Sequence, residues 1–351
     1  MNTGLHKISY RRLHEGINHR LHAVAGGRFA SFCRPATPTL LLTERCNARC
    51  VHCDIWKNRG PEDRPSLVEW KAVLADLRRW LGPVHVVLTG GEALLNPHAI
   101  ELVAYAHSIG LWVELLSHGF WEDQSKIEEL ALAGPARVTI SFDGLGETHN
   151  LIRGRESFAE KTERSIQTLA RMRRERRLKM EILLKTVVMR QNLDDVCEVA
   201  LFAKRHGLAV FYQPIEQNYN TPEDPYWFKR SDTWPDDPWK AVKVVRQLCA
   251  LKKEGLPITN SLEQLKVMIG YFLDPASSRV AVQAHTAHEP KLHCSAATML
   301  QVQANGDVRI CTARPAVGNI RQQSIRAIWV ARPRWWQDGC CLEERLREYQ
   351  S

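Results

Sequence analysis

Three cysteines lie close together in the first part of the chain, at Cys46, Cys50 and Cys53. Thiolate side chains are soft ligands that suit zinc or an iron–sulfur cluster. A structural zinc site normally has four protein ligands in paired spacing, and no fourth ligand follows at a matching interval. Three thiolates on a four-iron cubane would leave one iron free to bind a small molecule. The spacing therefore favours an iron–sulfur cluster, with zinc as the alternative.

Four more cysteines lie far downstream and indicate a second metal site. The chain has ten cysteines and no export signal, and the cytosol keeps thiols reduced, so metal or redox chemistry explains them better than disulfides do. The downstream set is Cys294, Cys311, Cys340 and Cys341.

Six short apolar runs alternate with helical patterns, which predicts a parallel sheet covered by helices. Six strand–helix units are two fewer than a closed eight-stranded barrel has, so the sheet is expected to be a partial barrel or an open doubly wound sheet. The runs occupy residues 39–43, 84–90, 111–117, 137–143, 180–188 and 209–215.

Helix-capping signals separate these runs. Ser66 with Glu69 fits a capping box, and so does Ser157 with Glu160. Asn96 before Pro97 fits an N-cap followed by the first helical residue.

Polar segments follow directly on four of the predicted strands. The cysteine triplet follows the first, Gly90–Glu92 the second, Ser117–Gly119 the third and Ser141–Asp143 the fourth. Ligands gather at the carboxyl ends of parallel strands, so these four loops are expected to meet on one face.

The segments CNARCVHC and LTGGE together resemble the radical S-adenosylmethionine superfamily, over most of residues 39–215. The resemblance implies a partial (β/α)6 barrel of the TIM type and two cofactors, a 4Fe–4S cluster on three cysteines and S-adenosylmethionine. In that family the open iron chelates the methionine moiety, and an electron from the cluster cleaves the sulfonium to give a 5′-deoxyadenosyl radical.

The resemblance also implies cofactor-binding residues. Two glycines allow close backbone approach, and a carboxylate pairs with the cofactor's ammonium group. The set also includes residues after the third and fourth strands, a nearby arginine and the residue before the last cysteine of the triplet. At the end of the third strand this chain has Ser117-His118-Gly119, whereas the family more often has Thr-Asn-Gly. The residues are His52, Gly90, Gly91, Glu92, Ser117, Ser141, Asp143 and Arg153.

The downstream cysteines resemble a SPASM-type auxiliary domain in its short, single-cluster "twitch" form, which implies one auxiliary 4Fe–4S cluster in a small α+β domain. Cys340 and Cys341 are adjacent, and successive side chains of an extended strand point to opposite faces. Ligation by all four cysteines needs a bend, which Gly339 permits. Three ligands with an open iron, or a fourth ligand from elsewhere, remain as alternatives.

Composition and charge narrow the class of protein. Hydrophobic residues make up 44% and charged residues 25% of 351, which excludes disordered and collagen-like chains. No apolar run is long enough to span a membrane, and no secretory signal is present, so the cytoplasm is expected. Much of the net charge of +9 comes from the basic run at residues 171–179. This run is either a solvated helix end or a patch that binds an anionic partner, and the charge does not by itself imply nucleic-acid binding.

The chain is expected to divide into a helical extension at 1–38, the barrel at 39–215, a connector or lid at 216–290 and the cluster domain at 291–351. Asn305-Gly306 predicts a hairpin in the last of these. Trp227, Trp234 and Trp239 of the connector either anchor an irregular loop or stack on a substrate.

The favoured function is a radical enzyme that abstracts hydrogen from a small, carbohydrate-like molecule for oxidation or rearrangement. The resemblance implies an external one-electron reductant of the flavodoxin or ferredoxin type. A peptide-modifying maturase is one alternative, and a non-catalytic iron–sulfur electron-transfer or scaffold protein is another. No catalytic acid or base is assigned.

Replacing Cys311 by Ala tests the second metal site. If this thiolate holds the auxiliary cubane, iron in the reconstituted protein falls by about four atoms per chain. Quantitative iron analysis after anaerobic purification measures the change, and an unchanged iron content would remove the site.

Overall fold

The computed structural model describes residue 17 and residues 32–35, 37–58, 60, 63–218, 221, 224, 226–275, 297–312 and 314–334. Its centre is a sheet to which all six predicted strands contribute. They are β1 (Thr39–Leu41), β2 (His85–Thr89), β3 (Trp112–Ser117), β4 (Arg137–Ser141), β5 (Glu181–Val188) and β6 (Ala209–Pro214).

The strand order decides between the two predicted architectures. The order is β6-β5-β4-β3-β2-β1, and every neighbouring pair is parallel. Each strand therefore lies beside its successor, without the reversal of order that marks a doubly wound sheet. The partial barrel of the TIM type is confirmed.

The predicted hairpin at Asn305-Gly306 is also present, and it extends this same sheet. Strand β7 (Gln301–Val302) pairs in parallel with β1, and β8 (Asp307–Arg309) and β9 (Gly318–Asn319) follow as antiparallel neighbours. The described part of the C-terminal region is thus joined to the barrel through backbone hydrogen bonds at the edge of β1.

Nine α-helices are described. The barrel helices are α1 (Leu67–Leu81), α2 (Ala99–Ser108), α3 (Ser125–Leu132), α4 (Gly146–Arg153), α5 (Phe158–Glu175) and α6 (Glu198–Arg205). The remaining helices are α7 (Pro238–Lys253), α8 (Leu262–Leu273) and α9 (Ile325–Ala331).

Helix α1 shows how the core forms. Its apolar residues recur at helical spacing, and Trp70, Leu74, Leu77 and Leu81 are all buried against the sheet. Each such side chain contributes about 1.5–3 kcal/mol to folding through the area that it buries. Trp80, at the end of α1, contacts Trp329 of α9 with ring centroids 6.0 Å apart, so the C-terminal region also packs on this helix.

The connector continues the helical layer beyond β6. Helices α7 and α8 pack on each other, and the hydroxyl of Tyr271 donates to the carbonyl of Ile215 at 2.8 Å. Trp234 is buried among Trp227, Tyr271 and Phe272, with ring centroids about 5.5 Å apart. Trp234 therefore anchors the loop.

Two capping predictions are wrong. Ser157 has a φ of 58° and makes no cap bond, because Asn150 of the preceding helix accepts instead from the N–H of Ala159 at 2.8 Å. Asn96 donates to the carbonyl of Leu42 and accepts from the N–H of His98, so helix α2 begins only at Ala99.

Among the described residues, no helix is long and apolar enough to cross a lipid bilayer.

Replacing Ser66 by Ala tests the capping analysis. The hydroxyl of Ser66 accepts from the N–H of Glu69, and the Glu69 carboxylate accepts from the N–H of Ser66, so the capping box of α1 is complete. The free energy of unfolding should fall by about 1 kcal/mol in Ser66→Ala. Ser157→Ala is the matched control and should change it much less, as urea titration of both variants would show. Equal losses would contradict the assignment.

Candidate cofactor site

The cysteine triplet and the carboxyl ends of β2, β3 and β4 line one cavity of about 220 Å³. The structure thereby brings together most of the residues that the sequence predicts for cluster and cofactor binding. Those that line the cavity are Cys46, Cys50, His52, Cys53, Gly90, Gly91, Ser117, Ser141 and Arg153. Trp56, Thr89 and His118 also line it.

The three thiols occupy the loop at residues 45–57, here called the cluster loop. Burial raises the pKa of Cys46 to about 12 and raises that of Cys53 as well. Both thiols are therefore protonated at neutral pH before they bind metal, and cluster assembly has to release these protons.

Helix α4 anchors the middle of the cluster loop. The N–H groups of Arg49 and Val51 donate to the carbonyls of Arg153 and Ile152 at 3.0 and 2.9 Å. Gly154, which ends the helix with a φ of 67°, lies so close that a Cβ there would be 2.2 Å from the carbonyl oxygen of Arg49. The turn after α4 therefore fixes the backbone on either side of Cys50.

Arg153 connects this loop to the fourth strand. Its Nη2 donates to Asp143 Oδ2 at 2.5 Å, and its Nη1 lies 3.5 Å from Cys50 Sγ. Burial alone would lower the pKa of Arg153, but the charges of Asp143 and Cys50 raise it above its ordinary value. A fixed positive charge thus lies beside one cluster ligand.

Asp143 lies behind Arg153 and does not line the cavity. Its Oδ1 accepts from the N–H of Val187 at 2.9 Å, and its backbone carbonyl accepts from the amide of Asn192. Burial alone would raise its pKa, but Arg153, followed by His52, lowers it, so the carboxylate is charged. The sequence predicts that Asp143 reaches the cofactor, whereas the described geometry gives it the role of holding Arg153.

Gly90 and Gly91 fit tightly against the start of the cluster loop. A Cβ at Gly90 would lie 2.3 Å from the carbonyl oxygen of Thr43, and one at Gly91 would lie 2.4 Å from that of Arg45. The N–H of Gly91 donates to Thr43 at 2.8 Å. These glycines therefore allow β2 to approach the loop, a packing role in addition to the approach to a cofactor that the sequence predicts.

Glu92 is buried and does not itself line the cavity. Its oxygens accept from the N–H groups of Leu94 and His118 at 3.1 and 2.9 Å, and they face the His118 ring at 3.2 Å. In this arrangement Glu92 orients the end of β3, and its contact with the cofactor's ammonium group stays a prediction.

His118, where the family pattern has asparagine, connects three segments. Its Nδ1 accepts from the N–H of Phe120 at 3.0 Å, so the ring proton lies on Nε2, which faces Asn47 at 2.8 Å and Glu92. Burial lowers its pKa, although Glu92 opposes the shift, and the ring is neutral at pH 7. Asn47 belongs to the cluster loop, so His118 fixes this loop against β3.

Three residues that line the cavity carry buried polar atoms without a hydrogen-bond partner among the described residues. They are His52 Nδ1, Trp56 Nε1 and Arg153 Nε. Buried polar groups in folded proteins are almost always paired, so a polar ligand in the cavity would satisfy them. The donor set of three thiols and three unpaired nitrogens fits a cluster together with a polar nucleoside cofactor.

His52 lies between this cavity and a second one. Burial lowers its pKa to about 4, and the ring is therefore neutral at pH 7. A neutral, largely apolar ring with one unpaired nitrogen suits the adenine contact that the sequence predicts.

Lys185 was not predicted from the sequence. It lies on β5 with its Cα opposite that of Ser141. Burial lowers its pKa, while the carboxylates of Glu216, Glu114 and Asp143 act in the opposite direction. The only sequence signal that could have identified Lys185 is its position within a strand in which alternate residues are buried.

The structure describes only part of the predicted second metal site. Cys311 is buried directly after β8. Cys294, Cys340 and Cys341 lie outside the described residues.

Replacing Gly154 by Ala should displace the cluster loop, because the new Cβ meets the carbonyl of Arg49. We expect a clear loss of bound iron and of cluster absorbance after reconstitution. Gly255→Ala is the matched control, since Gly255 has a φ of 84° but no atom within 4 Å of the position that a Cβ would occupy. The control variant loses only about 1 kcal/mol through its left-handed backbone. Full cluster content in Gly154→Ala would refute the anchoring role.

Comparison with known proteins agrees with this site. Residues 40–203 match the model of the radical SAM superfamily, and residues 294–338 match that of SPASM, an iron–sulfur cluster-binding domain. The second match includes Cys294 and Cys311 and ends before Cys340.

Curated relatives include an AdoMet-dependent heme synthase of Methanosarcina barkeri, 26% identical over 82% of this chain and 80% of that protein. A PqqA peptide cyclase of Rhodopseudomonas palustris is 33% identical over 53% of this chain, and the match spans 49% of the cyclase. The sporulation killing factor maturation protein SkfB of Bacillus subtilis is 29% identical over 50% of this chain and 42% of its own length.

Solved structures show the same fold. SuiB of Streptococcus suis bound to S-adenosylmethionine superposes with a TM-score of 0.60, at 12% identity, over 95% of this chain and 70% of SuiB. The family matches imply S-adenosylmethionine, a 4Fe–4S cluster and auxiliary iron–sulfur binding as the cofactors. Residues 40–203 are therefore a radical SAM domain, and residues 294–338 are a SPASM domain.

Proposed function

We propose that this radical SAM enzyme modifies a peptide, one residue of which enters a second cavity beside the cofactor cavity. The second cavity measures about 380 Å³, and His52 lines both. A substrate held there lies next to the cofactor, as hydrogen abstraction requires.

The lining of this cavity carries the proposal. Ten of its twelve residues are polar or charged, and the two others are Val51 and Trp227. Such a lining suits a chain of amide groups better than a large apolar ring. The polar residues are His52, Asp54, Glu216, Gln217, Asn218, Thr221, Asp224, Arg230, Ser231 and Thr233.

The charges in the cavity favour a cationic group on the peptide. Asp54, Glu216 and Asp224 supply three carboxylates against the single guanidinium of Arg230, which pairs with Asp224. Asp54 pairs with the exposed Lys57 at 2.7 Å. Glu216, whose charge also acts on Lys185, is the carboxylate that we assign to a lysine or arginine side chain of the substrate.

When bound, the reduced cluster and S-adenosylmethionine supply a 5′-deoxyadenosyl radical, which removes a hydrogen atom from the substrate. The protein's own residues do the positioning. Arg153 and Asp143 fix the charge beside Cys50, and the neutral His52 lines both cavities.

The relatives support the peptide alternative over the carbohydrate-like substrate that the sequence favoured. The PqqA peptide cyclase and SkfB are peptide-modifying or maturation proteins by name, and a second structure of SuiB contains its precursor peptide SuiA. Membership of a catalytic superfamily also disfavours a purely electron-transferring or scaffolding role.

An iron tetrapyrrole is the second candidate, and one observation favours it. The heme synthase of Methanosarcina barkeri matches along 80% of its length, whereas the PqqA peptide cyclase matches along only 49%. Tetrapyrrole carboxylates would meet the acidic lining of the second cavity, so we rank this candidate below a peptide.

A substrate assay separates the candidates. The full chain, anaerobically reconstituted and reduced, is given S-adenosylmethionine with one of three probes: a library of synthetic peptides that contain lysine or arginine, the same library with glutamine at those positions, or Fe-coproporphyrin III. We expect the basic library alone to raise 5′-deoxyadenosine release above the substrate-free rate and to yield peptides of altered mass. Stimulation by the porphyrin alone would overturn the proposal.

Replacing Glu216 by Gln tests the role of the acidic lining. We expect the concentration of basic peptide needed for half-maximal turnover to rise about tenfold, equivalent to about 1.4 kcal/mol. Substrate-free release of 5′-deoxyadenosine should stay unchanged, because Glu216 does not line the cofactor cavity.

Glu254→Gln is the control, since this exposed carboxylate lies at the end of α7. If both variants bind the peptide as the parent enzyme does, Glu216 does not recognise the substrate.

A further inference from the structure

We propose that the surface formed by Arg49, Leu151 and Arg155 is the docking face for an acidic one-electron carrier protein of the flavodoxin or ferredoxin class. It is called the docking face below. The inference rests on the proposed function in one respect only, namely that the cluster has to be reduced from outside.

The docking face combines exposed apolar and basic side chains. Leu151 is 57% exposed, and its neighbour Val51, at the mouth of the substrate cavity, is 46% exposed. Arg49 and Arg155 are exposed and form no ion pair or side-chain hydrogen bond within the described part of the chain. An apolar centre with a charged rim is the usual anatomy of a protein interface.

The docking face is connected to Cys50 through the backbone. Arg49 and Val51 flank this cysteine in the chain, and their N–H groups bond to the end of α4, which carries Leu151. Arg155 follows two residues after Arg153, whose guanidinium lies 3.5 Å from Cys50 Sγ. The positive charge of Arg155 also acts on His118 in the cofactor cavity. A carrier seated here delivers its electron close to a cluster ligand.

The sign of the charge identifies the partner. Glu156 is the only carboxylate in residues 149–157, and the cluster loop has Arg45 and Arg49 exposed besides the paired Lys57 and Asp54. A basic rim attracts an acidic protein and speeds its association.

A second basic surface on the molecule is unsuitable for this purpose, and it supplies a control. Four arginines and a histidine line an open cavity of about 450 Å³ between α5 and α6, with Arg174 and Arg205 exposed. Phe158, at the start of α5, packs against Ala48 and Cys50 of the cluster loop. Arg174 lies sixteen residues further along this helix, about 24 Å away at 1.5 Å per residue.

The experiment measures cluster reduction directly. The reconstituted full chain is mixed anaerobically with flavodoxin hydroquinone, and semiquinone formation gives the bimolecular rate. At low ionic strength the double variant Arg49→Glu, Arg155→Glu should react about tenfold or more slowly, with a weaker salt dependence. The Arg174→Glu, Arg205→Glu variant has the same net charge and should react at about the parent rate.

Reduced methyl viologen, a small cation, is the counter-probe. It should reduce the docking-face variant as fast as the parent or faster, which shows that the cluster is intact. If viologen also fails to reduce the docking-face variant, the cluster of that variant is damaged. The milder double variant Arg49→Gln, Arg155→Gln is then compared with the parent in the same flavodoxin and viologen assays.

An unchanged flavodoxin rate in the docking-face variants, or an equal loss in the control variant, would overturn the proposal. Failure of the peptide assay, with this reduction pattern intact, would instead refute only the substrate assignment.

Discussion

The buried ion pair between Asp143 and Arg153 is the interaction on which the site depends. It joins the end of β4 to the end of α4, and from there Arg153 reaches Cys50. Removing one partner of a buried pair typically costs about 3–5 kcal/mol, because the other charge is left without compensation. The backbone carbonyl of Arg153 also accepts from the N–H of Arg49, so the same residue holds the cluster loop.

The rest of the site is arranged around that pair by buried, hydrogen-bonded polar groups. His118 links Asn47 of the cluster loop to Glu92 on the neighbouring strand connection, and Asn192 fixes the backbone of Asp143. Satisfied polar networks of this kind make a buried site rigid. Among the buried polar atoms without a partner, the nitrogens of His52, Trp56 and Arg153 border the cavity, where a ligand would pair with them.

The two cavities divide the work of a radical enzyme between them. The cofactor cavity is lined by thiols, glycines and buried nitrogens, whereas the second cavity is acidic and open, and His52 is common to both. Radical chemistry needs the reacting carbon to lie beside the cofactor and water to be excluded from the site. The neutral ring of His52, which lines both cavities, meets the first of these needs.

The sequence by itself determined the elements, the strand ends and the cysteine triplet, because apolar period, caps and ligand spacing are local properties. It predicted all six barrel strands and the hairpin. Tertiary structure alone decided the rest: that Asp143 and Glu92 hold Arg153 and His118 instead of lining the cavity, that Asn150 replaces Ser157 as a cap, and that Lys185 lies opposite Ser141. These outcomes depend on contacts between residues in different elements, nine to 44 positions apart in the chain, which capping and periodicity signals within one element do not encode.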